Sequence, residues 1–119
     1  MTALWIFIGG GIGSVLRYGL AVALKSSSAM LPVGTLAANV VGCFVLGYLA
    51  SHPNIGARLG PEVHLGITVG VLGGFTTFST FGVETVRLYE SGQILYAITY
   101  ILLSILGGLV AAWGGMRFA

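Results

Sequence analysis

With 119 residues, 56% of them hydrophobic and only 7% charged, the chain has too little polar surface for a soluble domain. Its mean hydropathy of +1.01 comes from apolar runs of the ~20 residues that cross a bilayer, and these leave no room for a separate catalytic domain. Five basic and three acidic residues are too few for a nucleic-acid surface. The single cysteine, Cys43, excludes an intrachain disulfide and a cysteine-based metal cluster within one chain.

The pattern predicts an all-α membrane protein: one integral-membrane domain over 1–119, with helices at about 2–24, 32–51, 62–89 and 94–117. Met1-Thr2-Ala3-Leu4-Trp5 lacks the basic leader of a secretory signal peptide, so the first segment is expected to stay as a span. That span carries Gly9, Gly10, Gly11 and Gly13, and the Gly9-x-x-x-Gly13 pair admits close approach of another helix. No strand precedes this run and the third glycine is missing, so it is not a dinucleotide fingerprint. Arg17 stands about two turns from the end of the span. It either snorkels to the interface or lines an anion-attracting vestibule.

The loop Lys25-Ser26-Ser27-Ser28 is short and polar, and Pro32 suits the first turn of the second helix. Asn39 is that helix's one strongly polar interior residue, with two donors and a carbonyl acceptor. It either glues helices together or serves a polar pathway. Ala38 and Gly42 beside it form a small-xxx-small pair, and Cys43 reads as a small packing residue. A polar loop follows from Ser51 to Pro61. His52 and His64 flank it as interfacial residues, with no third group to make a metal site.

In the third segment Gly66, Gly70 and Gly74 lead into Gly73-Gly74-Phe75-Thr76-Thr77-Phe78-Ser79-Thr80-Phe81. Two adjacent glycines cost roughly 1 kcal/mol each in helix propensity, and the hydroxyls that follow compete with the helical ladder. The stretch predicts a helix broken near 73–77. Within a membrane, freed backbone groups survive only in protein or beside a polar cavity, and such breaks are where transport proteins hold ions. A Gly/Thr packing seam with aromatic core residues is the plainer alternative. Phe78 and Phe81, three apart, point to one side. Glu84 and Arg87, also three apart, predict an interfacial ion pair. In the fourth span Tyr100, Ser104 and Gly108 share a face, beside a second stripe of Gly107, Ala111 and Gly115. Trp5, Tyr96 and Trp113 fall at span ends, where amphipathic rings settle.

Four spans put Arg58 and Arg117 on one side of the membrane, against Lys25, Arg87 and the nearby Arg17 on the other. An excess of one basic residue does not fix orientation. Inverted repeats give many transporters an interior large enough for a pathway, and this chain is too short to hold two. Two oppositely inserted copies would build the same symmetry. The expected assembly is therefore an antiparallel, dual-topology homodimer.

The Gly73–Phe81 stretch resembles the signature of the Fluc (CrcB) fluoride channels. Gly34-Thr35-Leu36-Ala37-Ala38-Asn39-Val40-Val41-Gly42 resembles the family's second-helix motif, and Gly10-Gly11-Ile12-Gly13-Ser14-Val15-Leu16-Arg17-Tyr18 its first. The resemblance covers nearly the whole chain. It implies a multi-pass protein of the bacterial plasma (inner) membrane, a dual-topology dimer with two fluoride pores, and passive fluoride export. It also implies a structural Na⁺ on the dimer axis, held by the backbone carbonyls of Gly73 and Thr76. Phe78, Phe81 and Asn39 would line the pore, with Ser79, Thr80, Tyr100 and Ser104 continuing a polar track and Arg17 in the vestibule. Gly108 stands where some relatives carry a serine, so the track lacks a hydroxyl there. Two rival readings remain: a small dual-topology proton-coupled antiporter, whose first-helix glutamate is absent here, and a non-transporting assembly subunit. No nucleophile–base constellation suggests an enzyme.

Overall fold

The structure is a computed structural model and describes residues 1–26 and 29–119; Ser27 and Ser28 of the first loop lie outside the described residues. Among the described residues, four helical segments are long and apolar enough to cross a membrane: Thr2–Ala23, Val33–Ser51, Pro61–Glu90 and Ile94–Phe118. The longest dimension, 49 Å, matches a bilayer of ~30 Å of hydrocarbon plus its headgroup layers.

Helix α1 (Thr2–Ala23) runs unbroken despite its glycines. Pro32 caps α2 (Val33–Ser51) from outside rather than entering its first turn. The polar loop beyond contains a short helix, α3 (Ile55–Leu59). At Gly60 the backbone takes φ +82°, a conformation glycine adopts without steric cost. The chain reverses there into Pro61, the first residue of α4 (Pro61–Leu65), where a missing N–H is harmless.

The third span is the irregular one. After α4 it widens into a π-helical stretch, Gly66–Val71, and tightens again as α5 (Leu72–Phe75). Regular structure resumes only at α6 (Ser79–Glu90). Helix α7 (Ile94–Phe118) follows a turn at Gly92, φ +81°. Residues 76–78, between α5 and α6, lie outside regular helix and share Thr76 and Thr77 with the 73–77 stretch where a break is expected. Gly73 and Gly74 remain helical because Gly74 is packed against α1: a Cβ there would come 2.5 Å from the Gly10 carbonyl oxygen. The helix stops where Thr76 turns to an extended conformation, ψ 157°.

Packing rests on interlocked glycines rather than on a large apolar core. A Cβ on Gly9 would run into the Gly66 carbonyl oxygen, and one on Gly13 into that of Val71. From the other side, Gly70 lies on the Ile6 carbonyl oxygen. The backbones of α1 and the third span touch directly, so their dispersion contacts come at short range without long side chains between them. The same device joins α2 to α7, where Gly47 meets Ala112 and Gly115 meets Phe44. Among the described residues Ala38, Leu72, Ala97 and Tyr100 form the buried hydrophobic core, while side chains such as Phe7, Val15, Leu95 and Leu109 face outward. Outward apolar faces suit lipid or another protein chain.

Candidate functional site

The interruption at Thr76–Phe78 releases backbone groups that a continuous helix would pair, and their new partners define the site. Thr76 folds back, its N–H and its hydroxyl both donating to the Leu72 carbonyl at 3.0 and 2.9 Å. The Thr77 N–H, which would otherwise bond Gly73, donates to Asn39 Oδ1 at 2.8 Å, and Asn39 Nδ2 donates to the Thr77 carbonyl at 2.9 Å. One amide from α2 thus satisfies both polar groups of a single residue. Thr77 Oγ1 then accepts from the Thr80 N–H at 3.2 Å. That bond ties the Thr77 side chain to the first turn of α6, whose N-cap residue is Phe78. Thr77 Oγ1 also donates to Thr80 Oγ1, 3.2 Å away, and lies 3.5 Å from Ser79 Oγ.

The Gly74 carbonyl is taken by Arg17, whose Nε donates to it at 3.1 Å. The guanidinium is therefore turned to the third span rather than stretched to the interface. The carbonyls of Gly73, Phe75 and Thr76 accept none of the hydrogen bonds among the described residues. These are unpaired oxygen donors in an apolar setting, the chemistry a hard cation such as Na⁺ requires.

An aromatic series runs from the break into the bundle. The Phe78 and Phe81 rings lie 5.7 Å apart, and Phe81 meets Tyr100 edge-on at 5.1 Å. Tyr100 is fully buried, and its hydroxyl donates to Glu84 Oε1 at 3.1 Å. Phe78 is 82% exposed. A cavity of about 520 Å³ is lined by Asn39, Gly73, Thr76, Phe78, Phe81 and Ser104. The buried Ser104 Oγ has no hydrogen-bond partner. A second cavity, about 320 Å³, includes Lys25, Thr35 and Glu84.

Of the expected site residues, Asn39, Phe78, Phe81, Ser104, Gly73 and Thr76 thus share one cavity. Ser79 and Thr80 sit beside it in the hydroxyl cluster on Thr77, and Tyr100 sits behind Phe81. Arg17 reaches the break from α1. At Gly108 a Cβ would stand 3.4 Å from Cys43 Sγ, at ordinary van der Waals contact.

Comparison with protein families matches residues 4–116 to the family described as "CrcB-like protein, Camphor Resistance (CrcB)". The chain belongs to the CrcB family. Among curated CrcB relatives, a protein of Elusimicrobium minutum named "Fluoride-specific ion channel FluC" is 47% identical over 113 residues, 93% of this chain and 87% of the relative. One from Yersinia pestis, "Fluoride-specific ion channel FluC 1", is 45% identical over 108 residues, 91% of this chain and 85% of its own. One from Chlorobium phaeobacteroides, named "Fluoride-specific ion channel FluC", is 38% identical over 116 residues, covering 98% and 90%. Like the family match, the four spans make this CrcB chain a multi-pass membrane protein.

Sequence reasoning missed three participants. The expected Glu84–Arg87 ion pair is corrected: Glu84 accepts from Tyr100 instead, and Arg87 is exposed. The three-residue spacing was compatible with a pair, but a buried hydroxyl needs a partner more than an exposed cation does. Thr77, noted only as one hydroxyl among four, is the hinge of the network. Thr35, 8% exposed and lining the second cavity with Glu84, had its signal in the second-helix motif, where Thr35 stands one turn before Asn39.

Proposed function

We propose that the chain is a fluoride-selective channel that lets cytoplasmic fluoride leave passively, working as an antiparallel dual-topology homodimer around the broken third span. The observation that carries this is the similarity, over more than nine-tenths of the chain, to CrcB relatives named fluoride-specific ion channels. The site chemistry fits it. Fluoride is small and strongly hydrated, so a pathway must replace water with hydrogen-bond donors and positive ring edges. Phe78 and Phe81 offer edges, a phenyl ring being electropositive at its rim. Asn39 keeps one Nδ2 hydrogen beyond its bond to Thr77, and Ser104 keeps a free hydroxyl. Each contact is weak, as conduction requires, because a tight site would trap the ion.

The dimer is supported by surfaces that one chain leaves uncovered. Phe78 is 82% exposed, and a Cβ on Gly73 would meet open space. Polar backbone inside a membrane needs cover from protein, and a second, inverted copy supplies it. The carbonyls of Gly73 and Thr76 are the donors that would hold a structural Na⁺ between the two interruptions. When bound, the ion would neutralise those oxygens and tie the copies together. Neither role calls for an enzyme's acid–base machinery.

The test is fluoride efflux from liposomes holding only the purified protein, with chloride as the comparison ion. Fluoride release without chloride release is the expected result. Release of neither ion would overturn the channel reading and leave an assembly subunit, while release that requires a proton gradient would favour an antiporter.

A further inference from the structure

We propose that Arg17 is a positioning residue that holds the third span open, by occupying a carbonyl on which the helix would otherwise close. The inference deepens the channel reading above and rests on it. In a continuous helix the Gly74 carbonyl accepts from the N–H four residues on, that of Phe78. Here the acceptor is filled by Arg17 Nε at 3.1 Å, while Thr77, the next potential link, is held away by both ends of the Asn39 amide. Two side chains from two neighbouring helices thus take over consecutive rungs of the ladder.

The location of Arg17 follows from the glycine interlock. Gly13, one turn earlier on α1, lies against the Val71 carbonyl, and Gly74 lies against Gly10 and Ser14. With the backbones this close, a side chain one turn further along α1 meets α5 at its last turn. A charged N–H donor makes a bond roughly twice as strong as a neutral one, so the guanidinium outcompetes the Phe78 amide for the same oxygen. This also accounts for a charge inside a span without sending it to the interface. Half-buried Arg17 is neutral to helix α1 itself but decides whether α5 and α6 fuse. Fusion would rotate Phe78 and return the Gly73 and Thr76 carbonyls to helical pairing, removing both the ring edge and the free oxygens at once.

The structure supplies its own discriminating variant. Glutamine places Nε2 the same number of bonds from the backbone as arginine places Nε, so Arg17→Gln keeps the donor and loses the charge. Arg17→Lys keeps the charge and puts carbon where Nε was. Arg17→Met matches the length and has neither. Fluoride efflux at saturating gradient and hydrogen exchange of the Phe78 amide, read by mass spectrometry over the 73–81 peptide, are measured on each purified dimer. The expected order of flux is wild type, then Gln, with Lys and Met about threefold to tenfold below Gln, the effect of one neutral hydrogen bond. The Phe78 amide should exchange at least about tenfold more slowly in Met than in Gln, because it has regained the Gly74 carbonyl. If Arg17 acts through charge alone, Lys retains flux while Gln and Met lose it equally, and the proposal is overturned. Equal Phe78 exchange in Gln and Met overturns it as well. Should Arg17→Met fail to fold, the Gln-against-Lys order decides alone. A wild type that passes no fluoride defeats the channel reading, and the exchange comparison still judges the clamp.

Discussion

Phe78 is the residue whose role its surroundings isolate best. At 82% exposure its packing within its own chain is chiefly the Phe81 ring, so Phe78→Ile should cost subunit stability no more than about 1 kcal/mol. Phe81 differs because it sits between Phe78 and Tyr100. Phe81→Ile should cost about 0.5–1.5 kcal/mol for the lost edge-on contact. If the ring edges touch the anion, both variants cut fluoride efflux sharply while the dimer survives size exclusion. Normal flux in both, with intact dimers, would return the rings to packing. Asn39→Asp probes the grip on Thr77. It can still accept the Thr77 N–H but sets a second oxygen against the Thr77 carbonyl 2.9 Å away. It should therefore lose flux and also destabilise the break, by about 1–3 kcal/mol for a buried acceptor left unpaired. A thermal melt at the wild-type midpoint would contradict this. Asn39 was legible in the sequence as a polar residue at depth. Its two-pronged grip on one peptide unit was not, since only the fold brings a residue of α2 beside a break 38 positions away.

Among the elements, the glycine patterns of α1 and of Gly66, Gly70 and Gly74 were readable as close-packing stripes, and they do pack on one another. What spacing could not give is which glycines are indispensable. Gly10, Gly11 and Gly73 face open space, whereas Gly9, Gly13 and Gly74 lie on neighbouring backbone. Gly11→Ala should thus be neutral or slightly stabilising, by up to roughly 1 kcal/mol of helix propensity. Gly13→Ala should drive α1 away from Val71 and lower the melting temperature or yield of folded protein severely. Equal melts for the two would mean that the interlock is not formed as described. The π-helical stretch left no mark in the residue pattern, because a turn of this kind depends on how the span fits against α1 rather than on propensity. Within the expected 73–77 stretch the double glycine is helical, packed on α1, and the helix ends at the hydroxyl-bearing Thr76-Thr77.

For the whole molecule, orientation follows from charges that hardly differ between its two sides. Read from sequence, Arg58 and Arg117 oppose Lys25, Arg87 and Arg17. Arg17 is bonded to the Gly74 carbonyl inside the bundle, so it carries little weight as a flanking charge. The effective tally becomes Arg58 and Arg117 against Lys25 and Arg87, with neither side favoured. A basic residue near an anionic leaflet is worth about 1 kcal/mol, so three added lysines in the Ser51–Pro61 loop amount to about 3 kcal/mol. That suffices for a better than hundredfold bias toward one orientation. Reporter fusions at the C-terminus of the natural chain should therefore signal from both sides of the membrane in comparable numbers. The lysine variant should signal from one side only and pass no fluoride, because parallel copies cannot bring their interruptions together across a two-fold axis in the membrane plane. Co-expression with a copy biased the opposite way, by lysines beside Lys25, should restore efflux. A one-sided signal from the natural chain, or conduction by a single locked orientation, would refute the antiparallel dimer while leaving the subunit fold untouched.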